Sequence, residues 1–333
     1  MVTMAEIAKK AGVSPAVVSR VINNDRALRI GKETRARVEA VIRELNYAPN
    51  VVAQSLASSK SGLIAVVVHD IANPVYGEIL RGAQEQANKL NKAIILGDAS
   101  AGMVSNTRLA RMIGGGGVDG LVLQAAGAFS DEIIASAVRQ EVPVVLLQAG
   151  MNIDAHLVHL PDHEAAELAT QHIIDLGHKR IGCLATQQGL TFTDQRLAGW
   201  RQAMGSHVNE DLVVYSAPHS DAGAEGTSEL LDRHPDLTAI VCFNVVSAVG
   251  ALREIRARGL NVPDDLSIIA IHDVKFAQDL STPLSVVSTP LAEMGQLAVE
   301  TVCSPPETSQ STTRVLTKPT LLLRNSTSKP RQV

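Results

Sequence analysis

The segment Thr3–Arg20, TMAEIAKKAGVSPAVVSR, constrains the fold more than any other part of the chain. Thr3 and Glu6 form the pattern of a capping box, which starts a helix immediately after Thr3. Gly12 provides the backbone freedom for a tight turn. A second helix can begin at Pro15, because the N–H that proline lacks would have no partner in a first helical turn. The segment therefore predicts a helix-turn-helix, the motif whose second helix enters the major groove of DNA.

A third helix is predicted from about Lys32 to Asn46. Its apolar residues follow the i, i+3, i+4, i+7 spacing of one buried helix face: Val38, Val41, Ile42 and Leu45. Three helices of this size can close a small core of about 45 residues. Pro49 then interrupts the pattern, and residues 50–58 predict one more helix, too short to be stable alone in water.

Charge is distributed unevenly along the chain. Residues 1–60 hold ten Lys and Arg against five Asp and Glu, a balance of +5, and the remainder holds twenty against twenty-nine, a balance of −9. A basic N-terminal part on an acidic body indicates that only the former meets a polyanion such as DNA. An excess of five positive charges is equally compatible with an ordinary solvated surface, so the charge matters because it coincides with the helix-turn-helix.

From Leu63 onward, short runs rich in Val, Ile and Leu alternate with amphipathic helical stretches. The runs are Leu63–Val68, Ala93–Leu96, Gly120–Leu123, Val142–Leu147, Arg180–Leu184, Ala239–Phe243 and Ser267–Ile271. This alternation predicts parallel sheets in an α/β fold, and the number of strands predicts two subdomains. Ligands of such folds bind outside the carboxyl ends of the strands. The expected lining segments are His69–Tyr76, Gly97–Ser100, Gln124, Gln148, Thr186–Arg196, Asn244 and His272–Asp273. Nearer the C-terminus, residues 304–313 are expected to form a loop, Thr320–Leu323 a last strand, and residues 326–333 a frayed end.

Compartment is indicated by what the sequence lacks. No run approaches 18 uninterrupted apolar residues, and the N-terminus goes directly into a capped, charged helix without the apolar core of a signal peptide. Cys183, Cys242 and Cys303 are far apart and odd in number, which favours reduced thiols. We expect a cytoplasmic protein that does not contact a membrane.

Short motifs recur in order along nearly the whole chain: Ala5-Glu6-Ile7-Ala8, Gly12-Val13-Ser14, Val18-Ser19-Arg20-Val21, Leu45-Asn46-Tyr47, Pro49-Asn50, Ala53, Leu56-Ala57, Asn73-Pro74, Val118-Asp119-Gly120, Leu176-Gly177-His178-Lys179-Arg180-Ile181, Arg196-Leu197-Ala198-Gly199-Trp200, Pro283-Leu284 and Met294-Gly295. Together they resemble those of bacterial transcription regulators of the lac repressor family. The resemblance implies a three-helix DNA-binding domain, a hinge helix, and a body of two α/β subdomains like that of a periplasmic sugar-binding protein. The implied boundaries are 1–48 for the DNA-binding domain, 49–61 for the hinge helix and linker, and 62–333 for the effector-binding and dimerisation body, with an N-subdomain of 62–160 plus 289–320 and a C-subdomain of 161–288 plus 321–328.

The resemblance also implies a homodimer on a pseudo-palindromic double-stranded operator. Pro15, Ala16 and Arg20 stand at the positions that read bases, and Arg20 can pair bidentately with a guanine or, alternatively, contact a phosphate. Leu56 stands where the family inserts a wedge into the minor groove, the alternative being a core leucine. The full set of expected DNA contacts is Thr3, Ser14, Pro15, Ala16, Ser19, Arg20, Asn23, Tyr47, Asn50, Ala53 and Leu56.

Five residues of the body are expected to bind the effector. Arg196 matches the family's ligand-clamping arginine, with an interdomain salt bridge as the alternative. Asn244 follows a strand and offers an amide, Tyr76 can stack on a ligand face, and Gln148 ends a strand facing the cleft. His272 stands where the family usually has aspartate, which gives rise to the hypothesis of an acidic or phosphorylated ligand.

The sequence thus predicts a transcriptional regulator, expected to be a repressor, whose operator affinity is controlled by a sugar, sugar acid or sugar phosphate. No catalytic residues, cofactor or metal are expected, and the nearby His156, His159, Asp162 and His163 are discounted as a metal site because i and i+3 on a strand face opposite ways.

One rival function is a transport-associated solute-binding protein, against which the basic N-terminal part and the missing signal peptide both argue. The other is a cytosolic α/β enzyme, but the segment 68–74 after the first strand contains no glycine to cradle a phosphate.

Overall fold

The computed structural model describes residues 2–22, 29–47, 60–99, 102–124, 133–135, 137, 139–149, 155–304 and 313–331. The chain divides into two compact units, Met1–Ser61 and Gly62–Val333. Within the described ranges, no helix combines the length and the apolar character that crossing a membrane requires.

The N-terminal unit contains α1 (Met4–Ala11), α2 (Pro15–Ile22) and α3 (Lys32–Glu44). Both bonds of the predicted capping box are present: the Thr3 N–H donates to Glu6 Oε2 at 2.8 Å, and the Glu6 N–H donates to Thr3 Oγ1 at 3.3 Å. Gly12 adopts a left-handed conformation with φ of 65°, as the tight turn requires. The three helices share one apolar core: Ile7, Ala8, Ala11, Val18, Val21, Val38 and Val41.

The larger unit contains two six-stranded sheets. The first has the order β11-β5-β4-β3-β1-β2, and its strands are β1 (Leu63–Val68), β2 (Ala93–Asp98), β3 (Gly120–Gln124), β4 (Val144–Leu147), β5 (His156–His159) and β11 (Thr313–Val315). The paired strands of this sheet are all parallel. Strands β3 and β4 are buried along their whole length, which explains their continuous apolar sequences.

The second sheet has the order β12-β10-β9-β8-β6-β7, and only β12 is antiparallel to its neighbour. Its strands are β6 (Ile181–Ala185), β7 (Val213–Tyr215), β8 (Ala239–Cys242), β9 (Ser267–Ile271), β10 (Ser285–Ser288) and β12 (Thr320–Leu322). The parallel α/β architecture expected from the alternating sequence is confirmed.

Helices pack against both sheets. They are α4 (Pro74–Lys89), α5 (Gly102–Gly114), α6 (Asp162–Asp175), α7 (Thr191–Met204), α8 (Ser220–Arg233), α9 (Val245–Ala257) and α10 (Leu291–Val302). Helix α6 follows β5 of the first sheet but packs on the second, and α10 follows β10 of the second sheet but packs on the first. The chain therefore crosses between the sheets immediately before α6, immediately before α10, and between β11 and β12.

The C-terminal segment differs from the expectation that residues 326–333 are frayed. Ser326 is fully buried, accepts from the Ser285 N–H at 2.8 Å and donates to the Ile268 carbonyl at 2.6 Å. The carbonyl of Ser328 accepts from His178 Nε2 at 2.8 Å. That expectation was wrong for the described residues up to 331, because side chains of this segment complete the hydrogen bonding of the second sheet. The predicted loop at 304–313 lies mostly outside the described residues, and Thr313 already belongs to β11.

Candidate functional site

A cleft lies where the carboxyl ends of strands from the two sheets face each other. All five side chains expected to bind an effector line it: Tyr76, Gln148, Arg196, Asn244 and His272. The cleft has an empty volume of about 640 Å³, counting the part open to solvent. The structure thus brings together residues that are up to 196 positions apart in the sequence (Tyr76 to His272).

Arg196 is the most constrained of these side chains. It extends from α7 and is only 2% exposed. Its Nε donates to Asp162 Oδ1 at 2.8 Å, its Nη2 lies 2.7 Å from the same oxygen, and its Nη1 donates to the Phe243 carbonyl. The ring centroid of Phe192 lies 5.2 Å from Cζ, close enough for a cation–π contact. The guanidinium is therefore fixed by the protein. The salt bridge considered from the sequence was an interdomain one, whereas the observed partner Asp162 opens α6, which packs on the same sheet as α7.

His272 follows β9 with a left-handed φ of 73° and is 3% exposed. Its Nε2 lies 2.7 Å from Arg196 Nη2, and its Nδ1 lies 2.7 Å from Thr289 Oγ1. Because a guanidinium can only donate, Nε2 must accept, and Nδ1 carries the proton and donates to Thr289. Burial, with a contribution from Arg196, lowers the pKa of His272 well below its usual range. The imidazole is therefore neutral in the folded protein.

Asp162 does not line the cleft itself, but it is the shared partner of Arg196 and Gln148, a role that sequence reasoning missed. The sequence pattern offers it only as a metal ligand, yet its Oδ2 accepts from Gln148 Nε2 at 3.0 Å while Oδ1 binds Arg196. Gln148 has a left-handed φ of 53° at the end of β4. Among the described residues, no group of three His, Cys, Asp or Glu is arranged to hold a metal ion. The available signal was limited to its position at the start of helix α6, because the preceding strand β5 is too short to be recognised from the sequence.

The remaining predicted residues are held by helix starts. Asn244 caps α9 by accepting from the Val246 N–H at 2.8 Å. Asn73 caps α4, which carries Tyr76, and its Nδ2 also donates to the Pro218 carbonyl at 3.3 Å. Burial raises the pKa of Tyr76 to about 12, so the phenol keeps its proton. The Asn73–Pro218 contact joins the two sides of the cleft directly.

Side chains outside the predicted set complete the lining. They are His69, Asn73, Val75, Gln124, Thr186, Gln187, Leu190, Phe192 and Pro218. All but Pro218 lie within the strand-end segments that the sequence singled out. The lining is rich in neutral amide and hydroxyl groups, which can each donate and accept hydrogen bonds.

The DNA-binding residues expected from the sequence lie in the N-terminal unit. Thr3, Ser14, Pro15, Ala16 and Arg20 are exposed, and Ser19 and Tyr47 are half-buried. Ser14 Oγ accepts from the Val17 N–H at 3.4 Å at the start of α2. The other expected contacts lie outside the described residues: Asn23, Asn50, Ala53 and Leu56.

Comparison with known proteins gives two family matches. Residues 3–50 match the family of bacterial regulatory proteins named lacI, and residues 170–327 match a periplasmic binding protein-like domain. The HTH-type transcriptional regulator DegA of Bacillus subtilis is 32% identical over 98% of this chain and 98% of its own length. The chain belongs to the lacI family. It is a DNA-binding transcriptional regulator and not an enzyme.

Other lacI-family members are similar over the same extent. The ribose operon repressor of Haemophilus influenzae is 31% identical over 98% of both chains. The structure of the lac repressor dimer bound to operator and an anti-inducer is 26% identical, with a TM-score of 0.83 and coverage of 98% of this chain and 99% of that one. A CelR–cellobiose complex is 27% identical with a TM-score of 0.73, covering 98% and 100%. The predicted family and fold are confirmed.

Proposed function

We propose that this regulator is a repressor that binds its operator as a homodimer, and that a neutral, hydroxyl-rich molecule in the cleft controls its affinity for DNA. The observation that carries this proposal is the cleft between the carboxyl ends of the two sheets, which is lined by all five side chains expected to bind an effector: Tyr76, Gln148, Arg196, Asn244 and His272. Relatives support it by name: one represses a ribose operon, one is a dimer on an operator, and one binds cellobiose.

The contacts of Arg196 favour a neutral ligand over the acid or phosphate suggested by His272 alone. The Asp162 carboxylate already balances the guanidinium charge, and the protein engages all three guanidinium nitrogens. An anion that took the place of the Asp162 carboxylate, which is 4% exposed, would leave that carboxylate without its partner at a cost of about 3–5 kcal/mol. Hydroxyl groups of a sugar can instead bond to the amides of Gln148 and Asn244.

Asp162 and Thr289, two residues of the hydrogen-bonded cluster around Arg196, lie at positions from which a bound ligand could control DNA binding. Asp162 opens α6 and Thr289 precedes α10, so both lie where the chain crosses between the sheets. A ligand that binds one arrangement of the subdomains better than another shifts their population. If the two arrangements also differ in their affinity for the operator, the ligand changes operator affinity by this coupling free energy.

The proposal is tested with the full chain. Duplexes that it binds are selected from a random-sequence pool, and D-ribose, D-galactose, cellobiose, D-gluconate and D-ribose 5-phosphate are screened for a rise in Tm. A neutral sugar should raise Tm by mass action and change the operator Kd measured by fluorescence anisotropy. A rise in Tm with only the two anions would overturn the neutral class, and failure to enrich any duplex would overturn operator binding.

A further inference from the structure

The chain enters the larger unit at Gly62, and both backbone groups of this residue are held. Its N–H donates to Asp119 Oδ2 at 2.9 Å, and its carbonyl accepts from the Ala93 N–H at 2.9 Å. Gly62 has a φ of 75°, a left-handed conformation that glycine adopts without steric cost. The residue with the greatest intrinsic freedom is therefore fixed from two sides at the point where the chain from the N-terminal unit arrives.

A salt bridge supports this attachment. Lys92 Nζ donates to the same Oδ2 atom of Asp119 at 2.6 Å, and the two side chains are only 20% and 13% exposed. The Asp119 N–H also donates to the Leu63 carbonyl at 2.7 Å. We refer to Gly62, Lys92 and Asp119 as the Gly62 anchor. Each of its members immediately precedes one of the adjacent strands β1, β2 and β3.

The Gly62 anchor and the cleft lie at opposite ends of the same two strands. Strands β1 and β3 run parallel, with Ile64 opposite Gly120. At their carboxyl ends, the N–H of His69, which follows β1, donates at 3.3 Å to Oε1 of Gln124, the last residue of β3, and both residues line the cleft. A six-residue strand spans roughly 20 Å. Because β1 is fully buried from Ile64 onward, it is packed tightly enough to move with its sheet as one body.

We propose that Asp119 is the positioning residue that transmits an effector-dependent movement of the first sheet to the DNA-binding unit. This inference rests on the proposed function. A rotation of the sheet is passed on only if the chain before Gly62 must follow it. Without the Asp119 carboxylate, the Gly62 N–H loses its acceptor. The backbone of Gly62 can then rotate about φ and ψ, so the sheet can turn without turning the chain that precedes Gly62.

The test uses the full chain, the selected duplex and whichever of D-ribose, D-galactose and cellobiose raises the wild-type Tm. The measured quantity is the ratio of operator Kd with the sugar to operator Kd without it. Asp119→Ala should bring this ratio at least threefold closer to one while the Kd for the sugar stays within twofold of wild type. Lys92→Met should have a smaller effect, because the bond from Gly62 to Asp119 remains. The control Glu210→Ala, which removes the carboxylate of the exposed Arg201–Glu210 pair, should leave the ratio unchanged.

A purely structural salt bridge would behave differently. Removing it would lower Tm without changing the ratio of operator Kd values. An unchanged ratio in Asp119→Ala would therefore overturn the inference. A change in the ratio accompanied by loss of sugar affinity would also overturn it. Should Asp119→Ala not fold, Asp119→Asn tests the same bond in weakened form, because a neutral amide oxygen accepts the Gly62 N–H less strongly than a carboxylate does. Its ratio should then move toward one by less than the threefold expected for Asp119→Ala, and an unchanged ratio would overturn the inference. If wild type itself shows no sugar-dependent ratio, the proposed function fails before any variant is measured.

Discussion

Arg196 Nη2 donates to His272 Nε2 across 2.7 Å, and the opposite nitrogen of the same ring donates to Thr289. A cation is thus hydrogen-bonded to a histidine that must remain neutral. These two hydrogen bonds connect Arg196, which lines the cleft, through His272 to Thr289, which lies where the chain crosses between the sheets before α10. Because these groups are buried, they have lost their hydrogen bonds to water, and only the bonds to their protein partners replace them. The predictions for the cleft follow from this dependence.

Arg196→Ala should destabilise the larger unit and also abolish sugar binding, because Arg196 holds Asp162, the acceptor that orients the Gln148 amide in the cleft. The substitution leaves the Asp162 carboxylate buried without its cation, which costs about 3–5 kcal/mol. The double variant Arg196→Met with Asp162→Asn removes both charges and should recover much of that loss, while sugar binding stays absent. Urea unfolding at pH 7.5 measures the first effect and the sugar-induced rise in Tm the second. A full Tm response to sugar in either variant would contradict the role given to Arg196.

Stability should fall as the pH is lowered below about 6.5, the usual pKa of an unfolded-chain histidine. Burial, with a contribution from Arg196, lowers the pKa of His272 in the folded state, so the unfolded chain takes up a proton that the folded protein resists. The free energy of unfolding then decreases by up to about 1.4 kcal/mol per pH unit for one such group. Burial lowers the pKa of His159, His172 and His178 in the same direction.

His272→Gln isolates the share of His272 in this pH dependence. Glutamine keeps an acceptor for Arg196 but does not titrate, so the loss of unfolding free energy between pH 7.5 and pH 5.5 should be smaller than in wild type. Urea titrations at the two pH values provide the comparison. Equal losses in both proteins would mean that His272 is not the neutral group that the geometry requires.

Much of the fold could be predicted from local sequence, because long apolar runs specify strands buried on both faces. Strand β9, for example, is predicted with its observed ends, Ser267 and Ile271. The strands that the sequence missed are short: β5, β7, β10 and β11. A run such as HLVH or SVVS contains too few residues to show a period, and it becomes a strand only because a neighbour in the sheet pairs with it.

The cleft was predicted less completely than the fold. Arg196 and Asn244 were identified because they match a motif or end a strand. The partner of Arg196 was not, since Asp162 lies 34 positions earlier and their contact depends on how α6 and α7 pack. Likewise, nothing local to Ser326 indicates that it is buried against Ile268, 58 positions away. Contacts of this kind are set by tertiary packing rather than by periodicity.

Arg20→Ala should weaken operator binding by about 1–3 kcal/mol if the side chain reads a base, with the loss confined to duplexes carrying the preferred base at one position. A phosphate contact would instead weaken all duplexes alike and reduce the slope of log Kd against log salt by about one. Anisotropy titrations on a set of single-base variants, each at two salt concentrations, separate the two. Arg233→Ala, which removes an exposed cation of the larger unit, is the matched control and should leave operator binding unchanged.

The packing of α4 against α10 gives a prediction for stability alone. At Gly82 a Cβ atom would lie 1.9 Å from the Ala292 carbonyl oxygen, and at Gly295 it would lie 1.9 Å from the Ile79 carbonyl oxygen. Alanine at either position must therefore push the two helices apart, and overpacking of this kind typically costs about 1–3 kcal/mol or more.

Gly77 lies on the exposed side of α4 with no atom within 4 Å of its Cβ position, so Gly77→Ala should instead stabilise the protein by up to about 1 kcal/mol. Thermal unfolding of the three variants measures both signs. A gain at Gly77 together with a loss at Gly82 and Gly295 would separate helix propensity from the contact between the helices, whereas gains at all three would show that α4 and α10 do not approach as closely as their glycines allow.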